Sequence, residues 1–305
     1  MTPPQFIAFG EALTDFIRVD TDTWHSRPGG AGWNVARVVG RLGVGAAFAG
    51  AVSDDLLGRQ LLEASAAAGL DTRFIQPLPY PPLLAMVPCS QPPSYFFVGD
   101  NSADLHFDPA RLPPDGLDAL RIAYFGSISL ARPPLADRLL ALARELAARG
   151  VIIAFDPNMR SAMSEAGYRR RFEALAGLAS YIKVSDEDLQ QLFPALDQTH
   201  ALEALRRLAP QAAILFTRGA DGMSLISPDD DQEQPALPAA VADTIGCGDA
   251  SIGGLIASLL KHPARSMAEH LRFAAATAAC TAGHAGAYAP DEAMVNAKLA
   301  LPSAA

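Results

Sequence analysis

Apolar and polar positions fall into blocks along this chain, and their period switches between that of a buried strand and that of an amphipathic helix. "FIAFGE", Phe6 to Glu11, is a short apolar run ending in a turn residue, which predicts a buried strand. In "NVARVVGRLG", Val35, Val38, Val39 and Leu42 share one helical face, and Gly43 follows at the C′ position that favours glycine. "AAFAGAVS" predicts the next strand. Ser53 is a candidate N-cap for "DDLLGRQLLEASAAAG", with Asp54 and Asp55 in the first turn, where the helix dipole favours acids. "RLLALARELAARG" followed by "VIIAFD", and "ALEALRRLAP" followed by "AAILFT", repeat the helix then strand order. Such alternation predicts an α/β fold, a mainly parallel central sheet flanked by helices on both faces.

Two segments break the rhythm. Residues from about 12 to 28 and from about 83 to 104 are rich in Thr, Pro, Tyr and Phe and lack helical spacing, as in "LLAMVPC" and "PSYFFVGD". They predict a discontinuous small β-sheet laid as a lid over one main domain spanning 1–305, with two ordinary long loops as the alternative. The acidic "PDDDQEQP" reads as a solvated surface loop.

Composition narrows the function. The chain has 305 residues, half of them hydrophobic, and a formal net charge of −9, which disfavours nucleic acid and anionic lipid as partners. Its only lysines are Lys183, Lys261 and Lys298, so cationic roles fall mostly to arginine. Cys89, Cys247 and Cys280 are odd in number and far apart, against a disulfide framework or a Cys-rich zinc site. No segment shows the roughly 18 uninterrupted apolar residues of a membrane span, nor is there an export signal, and a cytoplasmic protein is expected.

Ligands of open α/β sheets bind beyond the C-terminal ends of the strands, and there the chain places Glu11 and Asp15, "PNMR" and "RGADG". "GGAGWN", Gly29 to Asn34, supplies glycines for close backbone approach, or simply a turn with an Asn N-cap. The P-loop pattern G-x-x-x-x-G-K-S/T is absent, and "GCGDAS" has Ser251 where the dinucleotide fingerprint needs its third glycine. In "DTIGCGDASIGG", Gly246 and Gly248 leave backbone N–H groups bare at a predicted helix N-terminus, a natural anion hole. Asp249, with an ordinary pKa of about 3.9, stands beside it as a candidate acceptor of a hydroxyl proton.

"DTIGCGD" resembles the C-terminal signature D-T-x-G-A-G-D of the ribokinase-like (PfkB) carbohydrate kinases, and "GGAGWNVARVVGRLG" resembles their N-terminal signature. "GEALTDF", "SADL", "YFGSISL", "DPNMR", "KVSDEDL" and "TRGADG" follow in family order, nearest to the fructokinase-like branch. The resemblance implies a ribokinase-like fold whose small β-sheet is a lid and the contact of a homodimer. It implies ATP-dependent phosphorylation of a sugar primary hydroxyl, with Asp249 as general base and the amides of Gly246, Cys247 and Gly248 as anion hole. Asp15, Gly29, Gly30, Asn34, Phe97 and Arg160 correspond to sugar-binding positions. Ser185, Asp188, Thr217, Arg218, Gly219 and Gly222 correspond to nucleotide-binding ones, with Arg218 a candidate for charge on the phosphates. Asp188 matches the carboxylate that organises Mg²⁺, one methylene short and so through water, and Asp243 with Ile245 matches a monovalent-cation (K⁺) site of some members.

Departures from the family pattern direct the choice of substrate. The segment 83–104 has no Lys or Arg, so "YFFVGDN" lacks a cation for an acidic sugar, and a neutral ketohexose such as fructose is expected. Arg18 and Arg27 keep 2-keto-3-deoxygluconate as an alternative, and a nucleoside acceptor is another. Ser185, Asp188 and Ala275 replace commoner family residues, which motivates a different alternative, a non-catalytic sugar or nucleotide sensor.

Overall fold

The computed structural model describes residues 3–90, 93–160, 163 and 166–301. Its strands are β1 (Phe6–Phe9), β2 (Leu13–Arg18), β3 (Trp24–Gly29), β4 (Ala46–Ser53), β5 (Ile75–Leu78), β6 (Leu84–Ser90), β7 (Pro93–Val98), β8 (Ile122–Gly126), β9 (Ile152–Asp156), β10 (Tyr181–Ser185), β11 (Ala213–Thr217), β12 (Met223–Ile226) and β13 (Asp231–Gln234). Along β1, Ile7 and Phe9 enter one core while Phe6 and Ala8 enter the other. Side chains of period two thus serve both faces, which is why the run is apolar throughout rather than alternating.

Nine strands form the large sheet in the order β13-β12-β11-β10-β9-β8-β1-β4-β5. All neighbours are parallel except β11–β12 and β12–β13. The acidic stretch read as a loop supplies β13, an edge strand whose charged side chains keep that edge solvated.

The helices are α1 (Ala31–Arg41), α2 (Leu56–Ala67), α3 (Leu135–Ala148), α4 (Ala166–Ala176), α5 (Asp186–Leu192), α6 (Gln198–Leu208), α7 (Cys247–Lys261), α8 (Met267–Ala282) and α9 (Glu292–Ala300). Apolar residues of α3, α4, α5 and α6 fill the core on one face of the sheet; those of α1, α7, α8 and α9 fill the other. Asp55, not Ser53, caps α2 by accepting from the Gly58 amide at 2.9 Å, and the Ser53 hydroxyl instead donates to the Asp55 carboxylate at 2.6 Å. Gly43 follows α1 at φ 84, the left-handed conformation its C′ position asks for.

β3-β2-β6-β7 make the small sheet, two antiparallel hairpins joined by the parallel pair β2–β6. Register puts Asp15, Arg27, Ala85 and Phe97 on one face and Phe16, Met86 and Phe96 on the other. The chain passes between the sheets four times, and buried polar contacts hold the passages at residues 10–12 and 99–103. Glu11 accepts from the Ser129 amide at 3.2 Å and from its hydroxyl, while Arg132 donates to Asp104 at 2.9 Å and to the Gly99 carbonyl at 2.6 Å. Burial pushes the Glu11 carboxyl up to about 8.

Candidate active site

The recess between the two sheets is built at the start of α7. Gly246 is the N-cap at φ 79, where a Cβ would lie 2.7 Å from the Ala287 backbone, so only glycine fits. Among the described residues, the amides of Gly246 and Gly248 meet no protein acceptor, whereas that of Cys247 donates to the Thr244 carbonyl at 3.2 Å. An anion seated here finds bare donors and the positive end of a 15-residue helix. Asp243 holds the preceding loop, its two oxygens accepting from the amides of Ile245 at 3.0 Å and Gly286 at 2.8 Å.

Asp249 lies one turn in, half-buried, and accepts from Asn34 Nδ2 at 2.9 Å. Burial pushes its carboxyl up to about 6, against the pull of Asn34, Lys183 and Arg160. Asn34 is no N-cap: Gly30, at φ 114, has that position, and Asn34 sits a turn inside α1, where its Oδ1 is buried without a partner. α1 and α7 come close enough for this contact because Gly253 faces Val38, where a Cβ would stand 2.8 Å from Cγ1.

The small sheet supplies the opposite wall. Asp15 folds over Gly29, where a Cβ would collide with its carboxylate, which explains that glycine. Burial pushes Asp15 up to about 6; Arg160 pulls it down and Asp249 pushes it up further, so the carboxylates share one recess. Arg160 donates to the Met159 carbonyl at 2.7 Å and lies 5.4 Å from the Tyr95 ring centre. Phe97 shares the Asp15 face and packs partly into the core. At the rim, Arg27 reaches the 286 loop, where a Cβ on Gly286 would be 2.9 Å from Nη1.

Behind the anion cradle lies a group the sequence reading did not single out. Lys183 on β10 is 5% exposed and pairs with Asp156 at 3.3 Å and Asp188 at 3.4 Å. Burial alone would lower its pKa, but Asp156, Asp188 and Asp249 hold it raised. Burial pushes Asp156 up to about 7 despite Lys183. A lone lysine inside the apolar strand "YIKVS" was the available signal, and Tyr95 gave none beyond its place in an aromatic run.

The remaining predicted positions lie along the neighbouring strand ends. Ser185 and Thr217 are paired residues closing β10 and β11, and Gly219 and Gly222 turn the next loop at φ 52 and 92. Arg218 is turned away onto the β12–β13 hairpin, held by Ser224 at 2.6 Å and Glu233 at 2.8 Å, which commits its charge to Glu233. Asp188 accepts from the amides of Met159 at 2.7 Å and Ser185 at 2.8 Å, in a capping box at the start of α5. Burial opposes its ionisation, but Lys183 and these amides hold its pKa low. Among the described residues, no cluster of three or more His, Cys, Asp or Glu is arranged to hold a metal ion. This donor set fits a Mg²⁺ carried in on nucleotide phosphates and reached through water, rather than a resident ion. Ala275 is buried in the helical core. Among the described residues no helix is long and apolar enough to cross a membrane.

Known proteins resemble this chain in sequence and fold. The family model described as "pfkB family carbohydrate kinase" matches residues 4–294. A fructokinase of Rhizobium leguminosarum bv. trifolii is 33% identical over 259 residues, covering 82% of this chain and 78% of its own. An aminoimidazole riboside kinase of Salmonella typhimurium is 32% identical over 255 residues, covering 82% and 79%. A solved fructokinase of Xylella fastidiosa with bound ATP superposes with a TM-score of 0.88 at 27% identity, over 97% of this chain and 98% of that one.

Proposed function

The chain belongs to the pfkB family of carbohydrate kinases, phosphotransferases that act on hydroxyl groups, and from that premise we propose that it transfers the γ-phosphoryl of ATP to a primary hydroxyl of fructose. The observation that carries this reading is the pairing of Asp249 with a helix N-terminus whose amides of Gly246 and Gly248 are bare. Asp249 accepts the hydroxyl proton while the oxygen bonds to phosphorus; the bond from phosphorus to the bridging oxygen breaks and ADP leaves with its electron pair. The cradle's donors stabilise charge on the phosphoryl oxygens as they pass. Mg²⁺ on the phosphates neutralises further charge when bound, with Asp188 acting through water; K⁺ near Asp243 and Ile245 belongs to the same proposal.

Asp15 and the unpartnered Asn34 Oδ1 suit neutral hydroxyl donors, and Gly29 and Gly30 clear the space beside them. A sugar carboxylate would meet Asp15 and Asp249 together, which favours the ketohexose over 2-keto-3-deoxygluconate. Thr217, Gly219 and Gly222 form the nucleotide side, next to Ser185. The small sheet acts as a lid that excludes water. Its outer face leaves Phe96 52% and Val98 50% exposed, and a second copy of the chain covers it. The 32% identity to an aminoimidazole riboside kinase supports a second reading, a riboside acceptor.

An ADP-release assay over fructose, 2-keto-3-deoxygluconate, ribose, aminoimidazole riboside and nucleosides, with and without K⁺, tests the reading. The highest kcat/KM is expected with fructose. Preference for a riboside would replace the substrate assignment, and no turnover with any acceptor would favour a non-catalytic sensor.

A further inference from the structure

Resting on the phosphoryl-transfer reading, we infer that Lys183 is a catalytic residue, its ammonium reaching through the turn at Gly248 to the transferring phosphoryl group. Lys183 Nζ would be 3.2 Å from a Cβ on Gly248, in contact with the first turn of α7. Period-two alternation along β10 sets Lys183 on the face where its partner on β11, Leu215, packs into the core containing α7. An ammonium has three donors, and Asp156 and Asp188 engage it only at 3.3–3.4 Å. These contacts are longer than the roughly 2.7–2.9 Å of a strong charge-assisted bond.

Energetics favour a functional reading over a structural one. A buried ion pair seldom stabilises a fold more than an apolar replacement would, because desolvation offsets the Coulomb gain. Here one loosely held cation serves two buried carboxylates behind a cradle of bare amides. An incoming phosphoryl offers the third donor an oxygen that no described protein group supplies. Glycine at 248 is then required because any Cβ would stand between the ammonium and the cradle. Lys183 keeps its proton throughout; its charge offsets the negative charge on the phosphoryl oxygens, while Asp249 alone takes the hydroxyl proton. The phosphate-facing cation sought in Arg218 is thus found on the adjacent strand.

The test compares Lys183→Met and Lys183→Arg with wild type in ADP release, sugar affinity by calorimetry, and the pH dependence of kcat/KM. Lys183→Met is expected to lower kcat about 100-fold, as loss of one transition-state donor does, with sugar affinity held within threefold. Asp249 is faced by Asn34 from α1, Lys183 from β10, Arg160 and Asp156 from β9 and its loop, Asp188 from α5, and Asp15 from the small sheet. Removing one of its two cations should move the acid limb to higher pH, which Lys183→Arg should not do. A purely structural lysine would move that limb too, through its charge on Asp249, but would leave kcat on the pH plateau near wild type. Lys183→Met with more than a third of wild-type kcat on that plateau overturns the inference, whatever the limb does. If the variant fails to fold, Lys183→Met with Asp156→Asn removes the stranded carboxylate; recovery of wild-type kcat in that pair also overturns it. Wild type inert toward every acceptor would sink the kinase reading and this inference together, whereas an active wild type beside an active Lys183→Met sinks this one alone.

Discussion

The two walls of the recess hold their charges differently. On the large-sheet wall Asp156, Lys183 and Asp188 are 0–5% exposed, the lysine lying between the carboxylates and Asp188 bound to backbone amides. On the small-sheet wall Asp15 and Tyr95 are partly exposed, and Arg160 leans across the gap to meet them. Charges fixed in a dry wall cost no reorganisation when a reaction develops charge, so the large sheet is suited to chemistry. Partly exposed groups on a separate small sheet can shift with a ligand, so the small sheet is suited to selection. Substitutions on the first wall should therefore strike kcat, and those on the second KM.

Asp249→Ala is the strongest test of the first half. General-base loss typically costs about 10²- to 10⁴-fold, so kcat should fall by that factor while calorimetry still detects sugar. A variant keeping a tenth of wild-type turnover would remove Asp249 from that role. Below about pH 6 wild-type activity should fall for the same reason, as Asp249 becomes protonated.

Asp15→Ala tests the other half. Bonds to a charged partner are worth about 1.5–3 kcal/mol, so KM for the sugar should rise about 10- to 100-fold. The contrast predicts a kcat within about threefold, because Asp15 belongs to the wall opposite the cradle at the start of α7. An equal fall in kcat and kcat/KM would erase the distinction between the walls.

Between the walls, Glu11 at the first crossing sets a stability signature. Its folded pKa, about 8, stands above the ordinary 4.5 because burial penalises the charge. Between those values the unfolded chain has released a proton that the folded chain keeps, so stability falls as pH rises through this window. Asp15, Asp156 and Asp249 are raised by burial too and act with the same sign. Glu11→Gln, neutral at every pH, should lose less of its thermal midpoint between pH 5 and 8, by roughly 2–4 °C for each kcal/mol recovered. Parallel midpoint curves for the variant and wild type would contradict the buried-carboxyl account.

The sequence made the large-sheet wall more legible than its electrostatics. Local rules suffice for an apolar run such as "AAILFT" or a glycine at a helix end, so the mainly parallel sheet, Gly43 and the α7 start could be read directly. Partners distant in sequence could not. Arg218 looked like a phosphate ligand in "TRGADG", but its fate is set by Glu233 on a strand that the acidic composition disguised as a loop. Lys183 gains its place only when β9, α5 and α7 converge on it. Asn34 read as an N-cap because sequence cannot say that Gly30 starts the helix one turn earlier.

The smallest expected effect sharpens the comparison from within the cradle itself. Cys247 sits between the two glycines, and a reactive thiol there would make the cradle a chemical rather than a geometric device. Burial pushes its thiol up to about 11, with Asp243 and Asp249 adding to the rise, so it is neutral under working conditions despite the helix N-terminus. Only its backbone then matters, and Cys247→Ala should leave kcat within about twofold and stability within about 0.5 kcal/mol, as for sites free of special contacts. Gly248→Ala differs by one methyl at the next position, yet it should lower kcat, because that Cβ meets Lys183 Nζ at 3.2 Å. Adjacent alanines with unequal effects, measured side by side in the ADP-release assay, would show that what lies behind the backbone, rather than the side chains upon it, sets the chemistry of this wall.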